Sequence, residues 1–243
     1  MIRTVVAQSL EPEVWRAPTD LSLAAQERLT ASLSPKEWEH AARLRADRDR
    51  SRFLSCRGWL RQLLAGYLET DPREIEFLPG LHGKPALARP AGTDLRFNVA
   101  QSGGLALIAV AQHLEVGVDL EQVRPDFPVD AVARRFFTAL EQARLEGLSG
   151  PGRLAAFFEV WTRKEAYLKG VGVGVGDGGL QIDTTHLEHV SPGPWSREQS
   201  LGGVMDWSVG SVDAGPDYAA AVAVHAPGRL LPAIAQPLWP AGS

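Results

Sequence analysis

Apolar and polar positions change period several times along this chain, and the changes mark its elements. Ile2–Ala7 is a short apolar run suited to a strand. Ser22–Leu33 has a helical pattern, and Ser34-Pro35-Lys36-Glu37 opens a second helix as a capping box with proline at its first position. Phe53, Cys56, Leu60, Leu63, Leu64 and Tyr67 recur at helical spacing and predict a buried stripe, ended by Asp71-Pro72. Ile75–Leu78 predicts a short strand, and Leu81–Pro85 contains a Gly-Lys-Pro turn. Phe97–Gly104 leads into Leu105–Ala111, a strongly apolar strand, and a turn at Gln112–Glu115 joins this to Val116–Val123 as an expected hairpin. Helical patterns follow through Ala131–Phe137 and Leu140–Leu148. A Gly/Pro break at Gly150–Gly152 then precedes an amphipathic helix over Phe157–Gly170.

Beyond it, Gly170–Gly179 cannot be a regular helix; it is a flexible linker or a backbone that approaches something closely. Leu180–Asp183 and Trp207–Val212 predict strands around a Pro/Gly/Ser loop at Ser191–Gly203. Tyr218–His225 is a final apolar strand, and the tail from Ala226 reads as irregular. Two stretches echo each other: a long helix with Phe/Trp/Arg/Tyr-Leu spacing, followed by a run like Leu105–Ala111 or Tyr218–His225, occurs in each half. The expectation is an α+β chain of two similar α/β lobes related by a pseudo-twofold. Residues 1–114 form the N-terminal lobe, 115–225 the C-terminal lobe and 226–243 the tail.

Composition narrows the class. The chain has 243 residues, 44% hydrophobic and 22% charged, as in ordinary globular proteins. A net charge of −4 gives no basic footprint for nucleic acid. The single cysteine, Cys56, excludes an intramolecular disulfide and fits a reducing compartment. No apolar run approaches a membrane span, so a cytoplasmic protein is expected. A two-lobed chain has no need of a partner copy, so the expected state is monomeric.

The chemistry gathers in two stretches. In Val116–Val123 alternation puts Asp119 and Glu121 on one strand face, their Cα atoms roughly 6.5–7 Å apart. Two carboxylates so placed repel unless a cation or solvent lies between them. In Phe157–Gly170, Glu165 and Lys169 stand four apart on the helix surface. Alone they read as a solvated ion pair; facing the strand, Glu165 becomes a third carboxylate of a hard oxygen site that suits magnesium. Between Arg43 and Arg61 seven arginines meet two aspartates, with Arg45, Asp49 and Arg52 along one face. That run is a solvated face or a local anion site. The chain holds 21 arginines but only four lysines, and Lys84, Lys164 and Lys169 lie in the stretches that carry motifs.

Taken in order, Gly83-Lys84-Pro85, FNVAQS, GVDLE, RRFF and WTRKEAYLK resemble the 4′-phosphopantetheinyl transferases, in particular the long, surfactin-synthetase-activating type. The likeness spans roughly Ser34 to Asp183. It implies two similar α+β lobes with substrate between them, and transfer of 4′-phosphopantetheine from coenzyme A to a serine of an acyl, polyketide or peptidyl carrier protein, releasing 3′,5′-ADP. By the same resemblance Asp119, Glu121 and Glu165 hold Mg²⁺ at the coenzyme A pyrophosphate, and Lys169 contacts phosphate. Lys84 binds the phosphorylated adenosine end, and Arg52, on a basic position of the N-terminal-lobe helix, and Gln101 and Ser102 of the strand motif fall among the coenzyme A-binding residues. Glu165 is the first choice for the base that takes the serine proton, with Glu121 second. The carrier would dock on Arg134 and Arg135 or on the N-terminal arginines.

One position departs from the family. Its Asn-x-Ser-His-Ser is Asn98, Val99, Ala100, Gln101 and Ser102 here, so a phosphate-touching histidine is replaced by Gln101, which can donate a hydrogen bond but carries no charge. That opens a second reading, a catalytically weakened coenzyme A or carrier-binding module. A magnesium-dependent phosphate-ester hydrolase is a third.

Overall fold

The computed structural model describes residues 12–79, 84–173, 207–225 and 234–235. The first lobe contains β1 (Glu13–Pro18), α1 (Leu23–Thr30), α2 (Pro35–Ala42), α3 (Asp47–Leu68), β2 (Glu76–Pro79), β3 (Pro85–Arg89), β4 (Leu95–Ser102) and β5 (Leu105–Gln112). The second contains β6 (Val116–Gln122), α4 (Val129–Phe136), α5 (Ala139–Leu145), α6 (Gly150–Val171), β7 (Ser208–Ser211) and β8 (Tyr218–Val224), and β9 (Ile234–Ala235) follows. The expected strands Ile2–Ala7 and Leu180–Asp183 and the loop Ser191–Gly203 lie outside the described residues.

Alternating side chains of the inner strands build four layers. On β5, Ala106, Ile108 and Val110 meet Leu60, Leu63 and Leu64 of α3. Leu107, Ala109 and Ala111 of the same strand meet Val116, Val118 and Leu120 of β6 and Val222 and Val224 of β8. On β8, Ala221 and Ala223 turn outward onto Ala166 and Leu168 of α6. Two sheets therefore stack face to face, with a 22-residue helix, α3 or α6, on each outer side. This explains why Leu105–Ala111 and Tyr218–Val224 are continuously apolar: both of their faces are covered. The result is a two-lobed α+β fold.

Helix starts follow local chemistry. Ser34 and Glu37 close the capping box expected for α2, and Thr138 and Glu141 close another at α5.

Several expectations are corrected. β5 and β6 do not form a hairpin: the first sheet runs β4-β5-β1-β9 and the second β6-β8-β7. His113, at φ 61, reverses the chain between them, and β6 pairs antiparallel with β8 from Val116↔Val224 onward. FNVAQS is itself most of strand β4, paired with β5 around Gly103–Gly104. The Gly150–Gly152 stretch is not a break but the first turn of α6, where a proline needs no intrahelical donor. α3 starts at Asp47, so Arg45 is outside it, and it ends at Leu68 with Glu69 left-handed, ahead of Asp71-Pro72. In the tail, Ile234–Ala235 pairs in parallel with Val14–Trp15 of β1.

Candidate active site

The site forms where α6 lies directly on β6. A Cβ on Gly117 would fall 2.0 Å from the Ala166 carbonyl oxygen and 2.4 Å from the Gly170 nitrogen, so only glycine lets helix and strand backbones touch. With Ala166 and Gly170 against Gly117, the adjoining helical positions Glu165 and Lys169 come over the next outward-facing residues of the strand, Asp119 and Glu121. The opposite residues Val116, Val118 and Leu120 point into the core between the sheets. The two stretches singled out in the sequence therefore meet.

Asp119 is 2% exposed, and the Lys169 amine donates to its Oδ1 at 2.5 Å. Its Oδ2 is buried with no hydrogen-bond partner among the described residues. Glu121 accepts a hydrogen bond from the Ser102 hydroxyl at 3.0 Å, and Ser102 Oγ in turn accepts from the Gln122 backbone N–H. Burial, then the charges of Asp119 and Glu121, push the Glu165 carboxyl up to about 7. Burial and Asp119 also raise Glu121. Burial opposes the charged form of Lys169, but Asp119, then Glu165 and Glu121, outweigh it and hold the amine above its usual range.

The three carboxylates are thus close enough to perturb one another, yet among the described residues they are not closed into a metal cage. Lys169 occupies the near oxygen of Asp119. The donor set is all hard oxygen, and the unpartnered buried Oδ2 is the kind of group a bound cation satisfies, so the residues fit a hard divalent ion.

The remaining sequence-predicted residues distribute around this pocket. Ser102 belongs to it through Glu121. Gln101, its neighbour on β4, points the other way, as alternation requires, and lines a cavity of about 1120 Å³ with His40, Phe53 and Arg57. Arg52 is paired side-on with Asp20, Nε to Oδ1 and Nη2 to Oδ2 both at 2.7 Å. Hydrogen bonding from Arg52, and less from Arg48, holds Asp20 down at about 2. This pair sits against the Gly103–Gly104 turn, where a Cβ on Gly104 would meet Asp20 Oδ2 at 2.9 Å. The far side of the turn is held by Tyr218, whose hydroxyl accepts from the Gly104 N–H.

Lys84 gives its amine to Glu115 Oε2 at 3.1 Å, the Val116 carbonyl at 3.2 Å and the Gly170 carbonyl at 2.9 Å. An ammonium has three donors, so all are used in tying the first lobe to the base of β6 and the end of α6. Sequence reasoning missed Asp20, which no local pattern marks. Asn98, in the FNVAQS stretch, acts between the lobes: its Oδ1 accepts the Val118 N–H, joining the edges of β4 and β6 where no strand ladder runs.

Two family models divide the chain between them. The N-terminal 4′-phosphopantetheinyl transferase model matches residues 17–113, and the 4′-phosphopantetheinyl transferase superfamily model matches 115–223. The second carries β6 and α6, with Asp119, Glu121, Glu165 and Lys169. A 4′-phosphopantetheinyl transferase of Nostoc sp., HetI, is 39% identical over 166 residues, covering 68% of this chain and 70% of its own. The chain belongs to the 4′-phosphopantetheinyl transferase superfamily. A putative 4′-phosphopantetheinyl transferase of Synechocystis sp. is similar at 38% identity over 71% of this chain and 69% of its own. The 4′-phosphopantetheinyl transferase of Bacillus subtilis is similar at 30% over 64% and 67%. In this transferase, then, the acidic pocket and the Arg52 turn lie on either side of the β4–β5 corner.

Proposed function

We propose that this enzyme transfers 4′-phosphopantetheine from coenzyme A to a serine hydroxyl of an acyl, polyketide or peptidyl carrier protein, with Mg²⁺, releasing 3′,5′-ADP. We also take it as the long, surfactin-synthetase-activating type, acting as a monomer in the cytoplasm. The observation that carries the reading is the meeting of Asp119, Glu121, Glu165 and Lys169 between β6 and α6 in a chain of this superfamily. In the reaction the serine oxygen forms a bond to the β-phosphorus of coenzyme A, and the bond from that phosphorus to the ADP oxygen breaks. The serine proton passes to a carboxylate.

Glu165 is the proposed base, because α6 sets its carboxyl beside Asp119 and Glu121, whose charges, with burial, raise it in the metal-free protein. Glu121 is second: the Ser102 hydroxyl already donates to it, which fixes its orientation. Lys169 offers its charge to the phosphates, and Arg52 would be a further coenzyme A contact across the β4–β5 corner. Mg²⁺, held by Asp119, Glu121 and Glu165, would supply neutralisation of pyrophosphate charge. Lys84, with all donors taken, would shape rather than hold: it lines a cavity of about 490 Å³ with Arg96, Phe97 and Trp207, suited to the adenosine end. The weakened-module alternative rested on Gln101. That side chain lines the other cavity, which supports a glutamine in place of the family's histidine falling outside the three carboxylates.

Intact-protein mass spectrometry of an apo carrier incubated with this protein, coenzyme A and Mg²⁺ tests the reading. A gain of one phosphopantetheinyl group is expected, absent with EDTA and absent for Asp119→Ala. No gain across fatty-acid, polyketide and peptide carriers, with coenzyme A still bound, would replace the reading with the binding module.

A further inference from the structure

Lys169 stands where two cations would compete. Its amine is 2.5 Å from Asp119 Oδ1, deep in the pocket, while its side chain as a whole is 35% exposed and its stem can swing outward. Among the described residues that amine makes a single hydrogen bond, so two of its three donors are unspent. Around it stand Glu121 and Glu165, with Arg124 the other cation that bears on Glu121. The pocket as it stands is a set of three carboxylates partly balanced from within by one tethered monovalent charge.

A divalent ion entering beside Asp119 would lie within a few ångströms of that ammonium and be repelled by it. The conflict is relieved only if Lys169 finds another anion. A phosphate anhydride arriving at the mouth of the pocket provides one, drawing the amine off Asp119 and freeing Oδ1 beside the already unpartnered Oδ2. We infer that Lys169 is a positioning residue that couples the two ligands, keeping metal affinity low until a phosphate anhydride takes its amine away from Asp119. The inference rests on the metal reading proposed above. Coupling is reciprocal, so the metal must tighten the anhydride by the factor by which the anhydride tightens the metal.

Mn²⁺ binding, read from the electron paramagnetic resonance signal of the free ion with and without coenzyme A, tests it on the full chain. In the wild type, coenzyme A should tighten Mn²⁺ by about tenfold or more. Lys169→Met should tighten Mn²⁺ at least about fivefold in the absence of coenzyme A, and the coupling factor should fall by a similar amount. A variant that binds Mn²⁺ no more tightly than the wild type without coenzyme A would overturn the inference and leave the metal reading standing. Failure of the wild type to bind Mn²⁺ even with coenzyme A would remove the metal reading itself. Should Lys169→Met be unstable because Asp119 is left uncompensated, its denaturation midpoint decides the matter. Recovery with added Mg²⁺ is expected, since the metal replaces the lost charge, and no recovery at saturating Mg²⁺ would overturn the inference.

Discussion

Glu165 is the side chain whose protonation reports most directly on the pocket. Its carboxyl is raised by burial and by Asp119 and Glu121, from an ordinary 4.5 to about 7. The folded, metal-free state therefore binds this proton more tightly than the unfolded chain. The stabilisation is complete below about pH 4.5 and lost as pH rises through about 7. Metal-free protein should lose roughly 1–3 kcal/mol of stability across that window, scaling at about 1.4 kcal/mol per pKa unit and discounting for partial exposure. Glu165→Gln should flatten the profile, which urea melts at several pH values would show; an unchanged slope would mean the carboxylates do not interact as described. Gln101 makes a separate prediction because it faces the other cavity. Gln101→His should leave both coenzyme A affinity, measured calorimetrically, and Mn²⁺ affinity unchanged; a shift in either would place the side chain at the substrate after all.

At the scale of elements, the contact of α6 with β6 decides the site. Gly117 sits under Ala166 and Gly170 with no room for a methyl group. Gly117→Ala should cost about 1–3 kcal/mol or more, as overpacking does, and should depress transfer beyond the effect on folding because it lifts Glu165 and Lys169 away from Asp119. A variant with wild-type stability and activity would contradict the close approach. The pairing of Asp119 with Glu121 was legible from alternation, and that of Glu165 with Lys169 from helical spacing, since both depend only on local periodicity. The hairpin was not: Leu105–Ala111 and Val116–Val123 look like consecutive strands of one sheet, and only the face-to-face stacking, which covers both sides of β5, assigns them to two. Nor could Gly150–Gly152 be read as a helix start, because the same residues mark breaks and first turns alike. Lys84 and Arg52 were visible as positions, but their partners Gly170 and Asp20 are far off in sequence.

For the whole molecule, two lobes of similar make meet along a seam closed by side chains: Asn98 to the Val118 N–H, Ser102 to the Gln122 N–H, and Lys84 to Gly170. Strand order adds a temporal consequence. β6, the strand that bears Asp119 and Glu121, has β8 as its ladder partner, and β1 is flanked by β5 and β9. During synthesis the carboxylate strand is therefore made long before Tyr218–Val224 exists to pair with it, and β1 waits for Ile234–Ala235. Such late, distant closures slow folding, because loop entropy is spent before the contacts reward it. A nascent chain halted before residue 218 would carry the β4–β5 hairpin and an acidic strand with an open edge, ready to pair with another chain.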